Sequence, residues 1–190
     1  MCGRYTLRNS KAVKDKHLLN IDVSYNVAPS HQVLTLTSEP ALMRWSYNPT
    51  WAKTPMNLIN ARSETLRVKP SFKMAKRCLI VADGWYEWLR TDNKKQPYFF
   101  HMNDSLFNFA GIYTEYNGEM GCAIITKDAI QKLSTVHHRM PIIIADDEAD
   151  SWLSGEDVFD SKSSENIEFY PVSTMVNSPR NNDIGCVEPT

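Results

Sequence analysis

Short apolar segments separated by polar turns run through most of the chain. Residues 32–38 alternate apolar and polar side chains as a half-buried strand does, whereas residues 78–82 are apolar throughout, as in a fully buried strand. Residues 85–90 and 97–102 flank a polar segment, a pattern typical of a β-hairpin. The same reasoning predicts further strands at residues 107–114, 122–126, 141–145 and 169–176.

Helical spacing is rarer. It predicts short helices at residues 11–19, at 128–136 and at 146–153, where the last begins with acidic side chains that suit a helix amino terminus. Many short strands with few helices indicate an α+β fold, with a central antiparallel, partly closed, barrel-like sheet and a few peripheral helices. Residues 154–165 are predicted to be a loop. We predict one domain over residues 1–177 and an irregular carboxyl-terminal tail over 178–190.

Length and composition agree with one compact domain. The chain has 190 residues, of which 42% are hydrophobic and 11% aromatic, enough to build a core and too many for a disordered chain. The longest apolar runs, residues 78–82 and 141–145, are far shorter than the roughly 20 residues of a membrane span. The first residues show no apolar signal segment. We therefore expect no membrane contact and a cytosolic or nuclear protein.

The four cysteines are scattered and form no Cys-x-x-Cys pair. Structural zinc sites usually use close pairs of ligands, and a reducing compartment disfavours disulfides. The sequence therefore predicts neither a metal site nor a disulfide framework, and nothing in it calls for a cofactor.

Charge is distributed unevenly, although the net charge is only −1. Residues 44–95 hold eleven Lys and Arg against four acids, and four of the five tryptophans, whereas residues 144–170 hold nine acids and one Lys. Basic residues interleaved with aromatic rings suit single-stranded nucleic acid, because cations contact phosphates and rings stack on bases. The alternative is a solvated charged face over a core of tryptophans.

Cys2 offers a distinctive chemistry if Met1 is removed, as happens before small residues. The mature chain would then carry an α-amine and a thiol on neighbouring carbons, both partly nucleophilic near neutral pH. Such an aminothiol condenses with an aldehyde to an imine, and its sulfur then closes a thiazolidine ring. An amino-terminal cysteine can also be an acyl-transfer nucleophile. The alternative is that Cys2 is an ordinary small residue.

Several motifs occur together in the chain. It begins Met1-Cys2-Gly3-Arg4-Tyr5, and five segments follow in order: residues 25–29 (YNVAP), 44–53 (RW and PTWAK), 60–65 (NARSET), 70–88 (PSF, RCL and DGWYEW) and 137–141 (HHRMP). In this combination, which spans about residues 2–145, the chain resembles the SRAP family of SOS-response-associated peptidases, also called abasic-site-processing proteins.

The resemblance implies a sensor of abasic sites in single-stranded DNA. The family's amino-terminal cysteine captures the aldehyde of the ring-opened deoxyribose as a thiazolidine, and the cross-link shields the damaged strand. Slow strand incision and self-removal of Met1 are activities that such chemistry also permits. Two other readings stay open: an amino-terminal cysteine hydrolase and a non-covalent binder of single-stranded DNA. The expected partner is single-stranded DNA with abasic sites, bound by a monomer that is nucleoid-associated in a bacterium or phage host and nuclear in a eukaryote.

The resemblance also implies roles for four residues at the linkage. Cys2 supplies both nucleophiles, and Asn60 orients the amine or the new ring. Glu87 is the carboxyl group for proton transfer, with a pKa that tryptophan neighbours should raise. His137 moves a proton to and from the sugar oxygen. In isolation, Asn60 would be a turn residue, Glu87 an ion-pair partner and His137 a helix-terminal side chain.

Ten further residues are expected to contact DNA or line the pocket. Arg4, Arg62, Arg77 and Arg139 match phosphate or linkage ligands, and Phe72 and Lys73 match a loop that meets the backbone beside the lesion. Pro29, Trp51 and Trp88 are candidates to wedge or stack in the strand, and Thr126 to line the pocket. Core packing is the alternative for each tryptophan.

Overall fold

The fold is known from a computed structural model, which describes residues 2–92, 94–160, 164 and 166–190. The described residues form three short helices: α1 (Ser10–His17), α2 (Gln131–Ser134) and α3 (Ala149–Ser154). They also form thirteen strands: β1 (Tyr5–Leu7), β2 (Ser24–Val27), β3 (Gln32–Leu36), β4 (Pro40–Trp45), β5 (Asn60–Arg62), β6 (Lys76–Ala82), β7 (Gly84–Thr91), β8 (Lys94–His101), β9 (Phe107–Tyr116), β10 (Glu119–Asp128), β11 (Arg139–Pro141), β12 (Ile143–Ile144) and β13 (Glu168–Pro171). None of these helices is long and apolar enough to cross a membrane.

The strands form two sheets. One is a five-stranded antiparallel sheet in the order β13-β8-β7-β1-β2. In the other, β10, β4, β3, β6 and β9 pair in sequence, and β9 pairs again with β10, so the strands form a ring. Strands β5, β11 and β12 extend this ring, and β10 is parallel to both β4 and β5. The predicted α+β class, with mostly antiparallel strands and few helices, is confirmed.

The predicted hairpin is β7 and β8, with Trp85 opposite Phe100. Their rings stack with centroids 5.0 Å apart and help to fill the core. The first residue of β7, Gly84, is a glycine because this position has no space for a side chain. A Cβ there would lie 2.3 Å from the Phe99 ring and 2.9 Å from the Phe100 carbonyl oxygen. β7 runs from the core towards the surface, so Glu87 is buried and the next residue, Trp88, is half-buried.

Three predicted elements differ from the structure. The helix expected at residues 128–136 is only one turn, α2, because β10 continues to Asp128 and pairs with β11. The strand expected at 141–145 is divided into β11 and β12, which pair with different neighbours. The last strand ends at Pro171, and a 3-10 helix, Thr174–Asn177, follows. The loop predicted at 154–165 includes residues outside the described part of the chain.

The core accounts for two tryptophans of the basic stretch. Trp45 and Trp85 are fully buried, as the core-packing alternative requires, whereas Trp51 is 57% exposed. All four cysteines are buried free thiols. The tryptophan content of residues 44–95 therefore reflects core packing in part.

The residues after 177 pack against the five-stranded sheet. They include a 3-10 helix, Ile184–Cys186, and buried Cys186 and Val187 lie in an apolar cluster with Tyr86 and Phe99. The Asn26 side chain donates hydrogen bonds to the carbonyls of Ser178 and Asn181, at 2.9 and 2.8 Å. The carboxyl-terminal segment is thereby attached to β2.

Candidate active site around Cys2

Cys2 lies three residues before the start of β1 and is fully buried. The Asn60 side chain in β5 donates a hydrogen bond from Nδ2 to the Cys2 carbonyl oxygen at 2.8 Å. Asn60 Oδ1 is also buried and has no hydrogen-bond partner among the residues that the structure describes. A buried acceptor without a partner is costly, so an N–H group arriving beside Cys2 would be stabilised there.

The Cys2 thiol is held in its neutral form. Burial raises its pKa well above the ordinary value, and the negative charge of Glu87 raises the pKa further. The thiol donates a weak hydrogen bond to the Arg4 carbonyl, with Sγ 3.8 Å from the oxygen. At neutral pH the sulfur therefore needs a base before it can react as a nucleophile.

Glu87 and His137 provide the proton-transfer groups. Glu87 points from β7 into the core with 3% exposure, and burial raises its pKa to about 7. Its Oε2 lies 3.9 Å from Nδ1 of His137. That Nδ1 also lies 3.0 Å from the backbone nitrogen of Arg139, which can donate to it, and 3.1 Å from the Arg139 carbonyl oxygen, which can accept from it when Nδ1 carries the proton. Burial lowers the pKa of His137 to about 4, which keeps the ring neutral at physiological pH.

A cleft of about 550 Å³ opens at His137, which forms part of its wall. Arg62 and Arg90 give the cleft positive charge, and Trp88 gives it an aromatic surface. The His138 ring stacks on His137, with centroids 4.5 Å apart. The cleft therefore combines cations and a flat ring beside the candidate catalytic groups, a combination that suits single-stranded nucleic acid.

Arg139 lies beneath this site and is only 5% exposed. It forms ion pairs with Glu64, with nitrogen–oxygen distances of 2.5 and 3.0 Å, and with Asp128 at 2.6 Å. It also donates to the carbonyl of buried Thr126 at 2.7 Å. Arg139 and Thr126 thus fix the chain next to His137; direct DNA contact by either one stays a prediction.

Arg77 contacts the acidic part of the chain. Its guanidinium lies 4.0 Å from the centre of the Trp152 ring and donates to Asp157 at 2.6 Å and to the Trp152 carbonyl at 3.3 Å. Arg67 pairs with the same Asp157 at 2.8 Å. Arg77 is therefore part of a link between the basic and acidic stretches in this structure, and its predicted phosphate contact is untested.

The remaining predicted DNA contacts lie in several loops and strands. Trp51 and Lys73 are exposed, and the Trp51 indole donates to the Pro70 carbonyl at 3.3 Å. Phe72 is buried against Tyr47, with ring centroids 5.6 Å apart. Pro29 follows β2 and is half-buried. Exposure leaves Trp51 and Lys73 available to a ligand, whereas Phe72 supports its loop from the core side.

Arg4 and Trp88 are attached to the 3-10 helix Thr174–Asn177. The Arg4 guanidinium donates to the Val176 carbonyl at 2.6 Å and to the Asn26 side chain at 3.1 Å. The Trp88 indole N–H donates to Asn177 Oδ1 at 2.7 Å. Both predicted DNA contacts are thus held by residues far away in sequence.

Sequence reasoning missed the residues that support the site. Glu64 stands within the motif of residues 60–65, so its pairing with Arg139 could have been suspected. Asp128, Arg90 and Asn177 carry no local signal, because only the folded chain brings them to Arg139, to the cleft and to Trp88.

Known proteins are similar to this chain in both sequence and fold. In an alignment of 223 positions, the chain is 37% identical to abasic site processing protein YoqW of Bacillus subtilis (strain 168). The alignment covers 99% of each chain. It is 35% identical over 189 residues to abasic site processing protein HMCES of Gallus gallus, covering 77% of this chain and 56% of that protein.

A crystal structure of a Bacteroides thetaiotaomicron protein superposes over 100% of both chains with a TM-score of 0.79 and 25% identity. A phage-related protein of Bordetella bronchiseptica superposes over 90% of this chain with a TM-score of 0.70 and 27% identity. A sequence model of the SOS response associated peptidase family matches residues 1–179. The chain therefore belongs to the SOS response associated peptidase (SRAP) family.

Proposed function

We propose that the protein processes abasic sites by binding them in single-stranded DNA and joining to them covalently through Cys2. Relatives named abasic site processing proteins, matched over almost the whole chain, support abasic-site processing. The observation that carries the covalent step is the arrangement around Cys2. Asn60 binds the Cys2 carbonyl, Glu87 acts on the Cys2 thiol, and His137 lies beside Glu87 in the wall of a cationic, aromatic cleft.

The reaction needs the α-amine of Cys2, which becomes available once Met1 is removed. The amine adds to the aldehyde carbon of the ring-opened deoxyribose, and loss of one water gives an imine. The thiol then adds across the C=N bond: sulfur bonds to the carbon, and a proton reaches the nitrogen. The product is a thiazolidine, formed with the net loss of one water.

Asn60 is well placed to hold the amine for this addition. Its Nδ2 already binds the Cys2 carbonyl, and its partnerless Oδ1 can accept a hydrogen bond from the amine or from the ring N–H. One side chain would thus hold Cys2 at two points, with Nδ2 on the carbonyl oxygen and Oδ1 on the reacting nitrogen. Holding the amine in place lowers the entropic cost of addition.

Glu87 and His137 are suited to the proton transfers. A carboxyl group with a pKa of about 7 can donate a proton as water leaves and accept one as the thiol adds. The neutral imidazole of His137 can act at the sugar oxygen. The same imine also allows elimination of the 3′ phosphate, so slow strand incision accompanies capture in this proposal.

The test is intact mass spectrometry of the purified protein, before and after incubation with a single-stranded oligonucleotide that contains one abasic site. We expect a protein that lacks Met1 and gains the mass of the oligonucleotide less one water. Cys2→Ala and Cys2→Ser keep an α-amine but lack the thiol, so neither should form a stable adduct. Borohydride should still trap their imine.

Cys78→Ala is the matched control, because it removes another fully buried thiol and should leave capture unchanged. A stable adduct with Cys2→Ala would contradict the ring-closing step. Loss of Met1 with no adduct, accompanied by turnover of amide substrates, would favour a hydrolase. DNA retention that is equal in wild type and Cys2→Ala would favour a non-covalent binder.

A further inference from the structure

The carboxyl-terminal turn touches the sequence neighbours of two reacting residues. The 3-10 helix Thr174–Asn177 accepts hydrogen bonds from Arg4, two residues after Cys2, and from Trp88, which follows Glu87 on β7. The reacting side chains themselves lie on other elements. The turn is therefore in a position to affect the site without contacting the reacting atoms.

Trp88 is held at two points. Its indole N–H donates to Asn177 Oδ1 at 2.7 Å, and the Lys95 ammonium lies 4.9 Å from the centre of its ring. The same side chain and His137 both form part of the cleft wall. A half-buried indole held at its edge and over one face has few alternative orientations, so a base that stacks on it loses less entropy.

Asn177 is an exposed residue at the end of this turn. Its carbonyl oxygen is 3.4 Å from Arg4 Nη2, so the same residue also borders the Arg4 guanidinium. The contacts of Asn177 thus reach two predicted DNA-binding side chains, and its side-chain contact is to Trp88.

We infer that Asn177 is a positioning residue for abasic-site capture, which acts by fixing the Trp88 indole for stacking on a nucleotide next to the lesion. This inference rests on the proposed function. Asn177 would act on the nucleotides next to the lesion and leave the chemistry at Cys2 unchanged. Its effect should therefore depend on flanking nucleotides.

The experiment compares two aldehydes. One is a single-stranded oligonucleotide with a central abasic site, and the other is free 2-deoxyribose, which has the same reacting carbon and no flanking nucleotides. For Asn177→Ala we expect the half-saturating oligonucleotide concentration to rise about fivefold, the effect of losing one side-chain hydrogen bond. The rate of thiazolidine formation with 2-deoxyribose should stay unchanged.

Trp88→Phe completes a double-mutant cycle, because it keeps an aromatic ring and removes the N–H donor. In that background Asn177→Ala should have no further effect on the oligonucleotide reaction. Thr174→Ala, an exposed change in the same turn, is the matched control and should behave as wild type.

An equal loss with both aldehydes would mean that Asn177 only supports the fold, and would overturn the inference. So would wild-type behaviour of Asn177→Ala, or effects of Asn177→Ala and Trp88→Phe that simply add. Failure of the proposed function would differ from all of these, since wild type itself would form no adduct.

Discussion

At the scale of single residues, Glu87 and His137 both favour their uncharged forms, although their side chains lie 3.9 Å apart. Burial is the main cause for each: it raises the pKa of the carboxyl group to about 7 and lowers the pKa of the imidazole to about 4. Near neutral pH the pair therefore holds a half-ionised acid beside a neutral base. That state suits a reaction in which a proton must leave and return.

The two shifts make opposite contributions to the pH dependence of stability. Folding raises the pKa of Glu87 from 4.5, so its stabilising contribution is lost as pH rises towards 7. Folding lowers the pKa of His137 from 6.5, so its contribution is lost as pH falls towards 4. As pH rises from about 4.5 to 7, Glu87→Gln should become more stable relative to wild type. As pH rises from about 4 to 6.5, His137→Asn should become less stable relative to wild type.

Thermal unfolding across this pH range measures both effects. Glu115→Gln, an exposed change on β9, is the control for removal of a surface carboxylate. If the stability difference for Glu87→Gln kept one value from pH 4.5 to 7, the raised pKa of Glu87 would be contradicted. The same measurement applies to His137→Asn in its own range.

The sequence predicts those residues of the candidate site that stand in the family motifs. Cys2, Asn60, Glu87 and His137 each stand in a segment typical of the family, and the structure brings all four together. Position in a motif does not reveal which charges a side chain meets. Arg139 was expected to bind phosphate, yet its ion pairs with acids far away in sequence were invisible without the fold.

At the scale of elements, the carboxyl-terminal segment contributes to the core. Val187 is 6% exposed in the cluster with Tyr86, whereas Ile184, three residues earlier, is 59% exposed. Val187→Ala should lower the free energy of unfolding by roughly 1–2 kcal/mol, because it removes two buried methyl groups and leaves a cavity. Ile184→Ala should change it by less than about 0.5 kcal/mol.

Chemical denaturation of the full-length variants checks this difference. Equal, small effects of the two substitutions would show that the segment after 177 packs loosely on the sheet. The predicted domain boundary at 177 would then gain support.

Long strands with nearby partners were the most predictable elements. The β7–β8 hairpin and strands β6, β9 and β10 show their apolar patterns locally, and each forms extensive pairs with a neighbour. Strands β1 and β5 have three residues each, too few to display a period. β1 pairs with β2 and with distant β7, and β5 pairs with distant β10. The helix predicted at 128–136 failed because pairing with β11 outweighed local spacing.

At the scale of the whole molecule, the basic and acidic stretches partly neutralise each other. Asp157 in the acidic stretch pairs with both Arg67 and Arg77 of the basic stretch. Cations that are already paired release few counterions when DNA binds. The exposed, unpaired cations should therefore dominate non-covalent affinity.

Salt titration of non-covalent binding, with Cys2→Ala to prevent capture, tests this division. Affinity should fall steeply with salt. Lys73→Gln should reduce the slope of log affinity against log salt by roughly 0.7, the value for one phosphate on a single strand. Arg77→Gln should leave the slope unchanged and lower the thermal midpoint instead. A reduced slope for Arg77→Gln would restore Arg77 as a phosphate ligand.

The ring of strands has a consequence for the order of folding. β5 pairs only with β10 among the described strands, and Asn60 and its partner Ile124 are far apart in the sequence. Contacts of such long sequence separation form late, after local hairpins such as β7–β8. Asn60 therefore reaches the Cys2 carbonyl only when β5 has paired with β10. A chain still emerging during synthesis, with its amino-terminal cysteine already made, would lack the orienting amide and react slowly with stray cellular aldehydes.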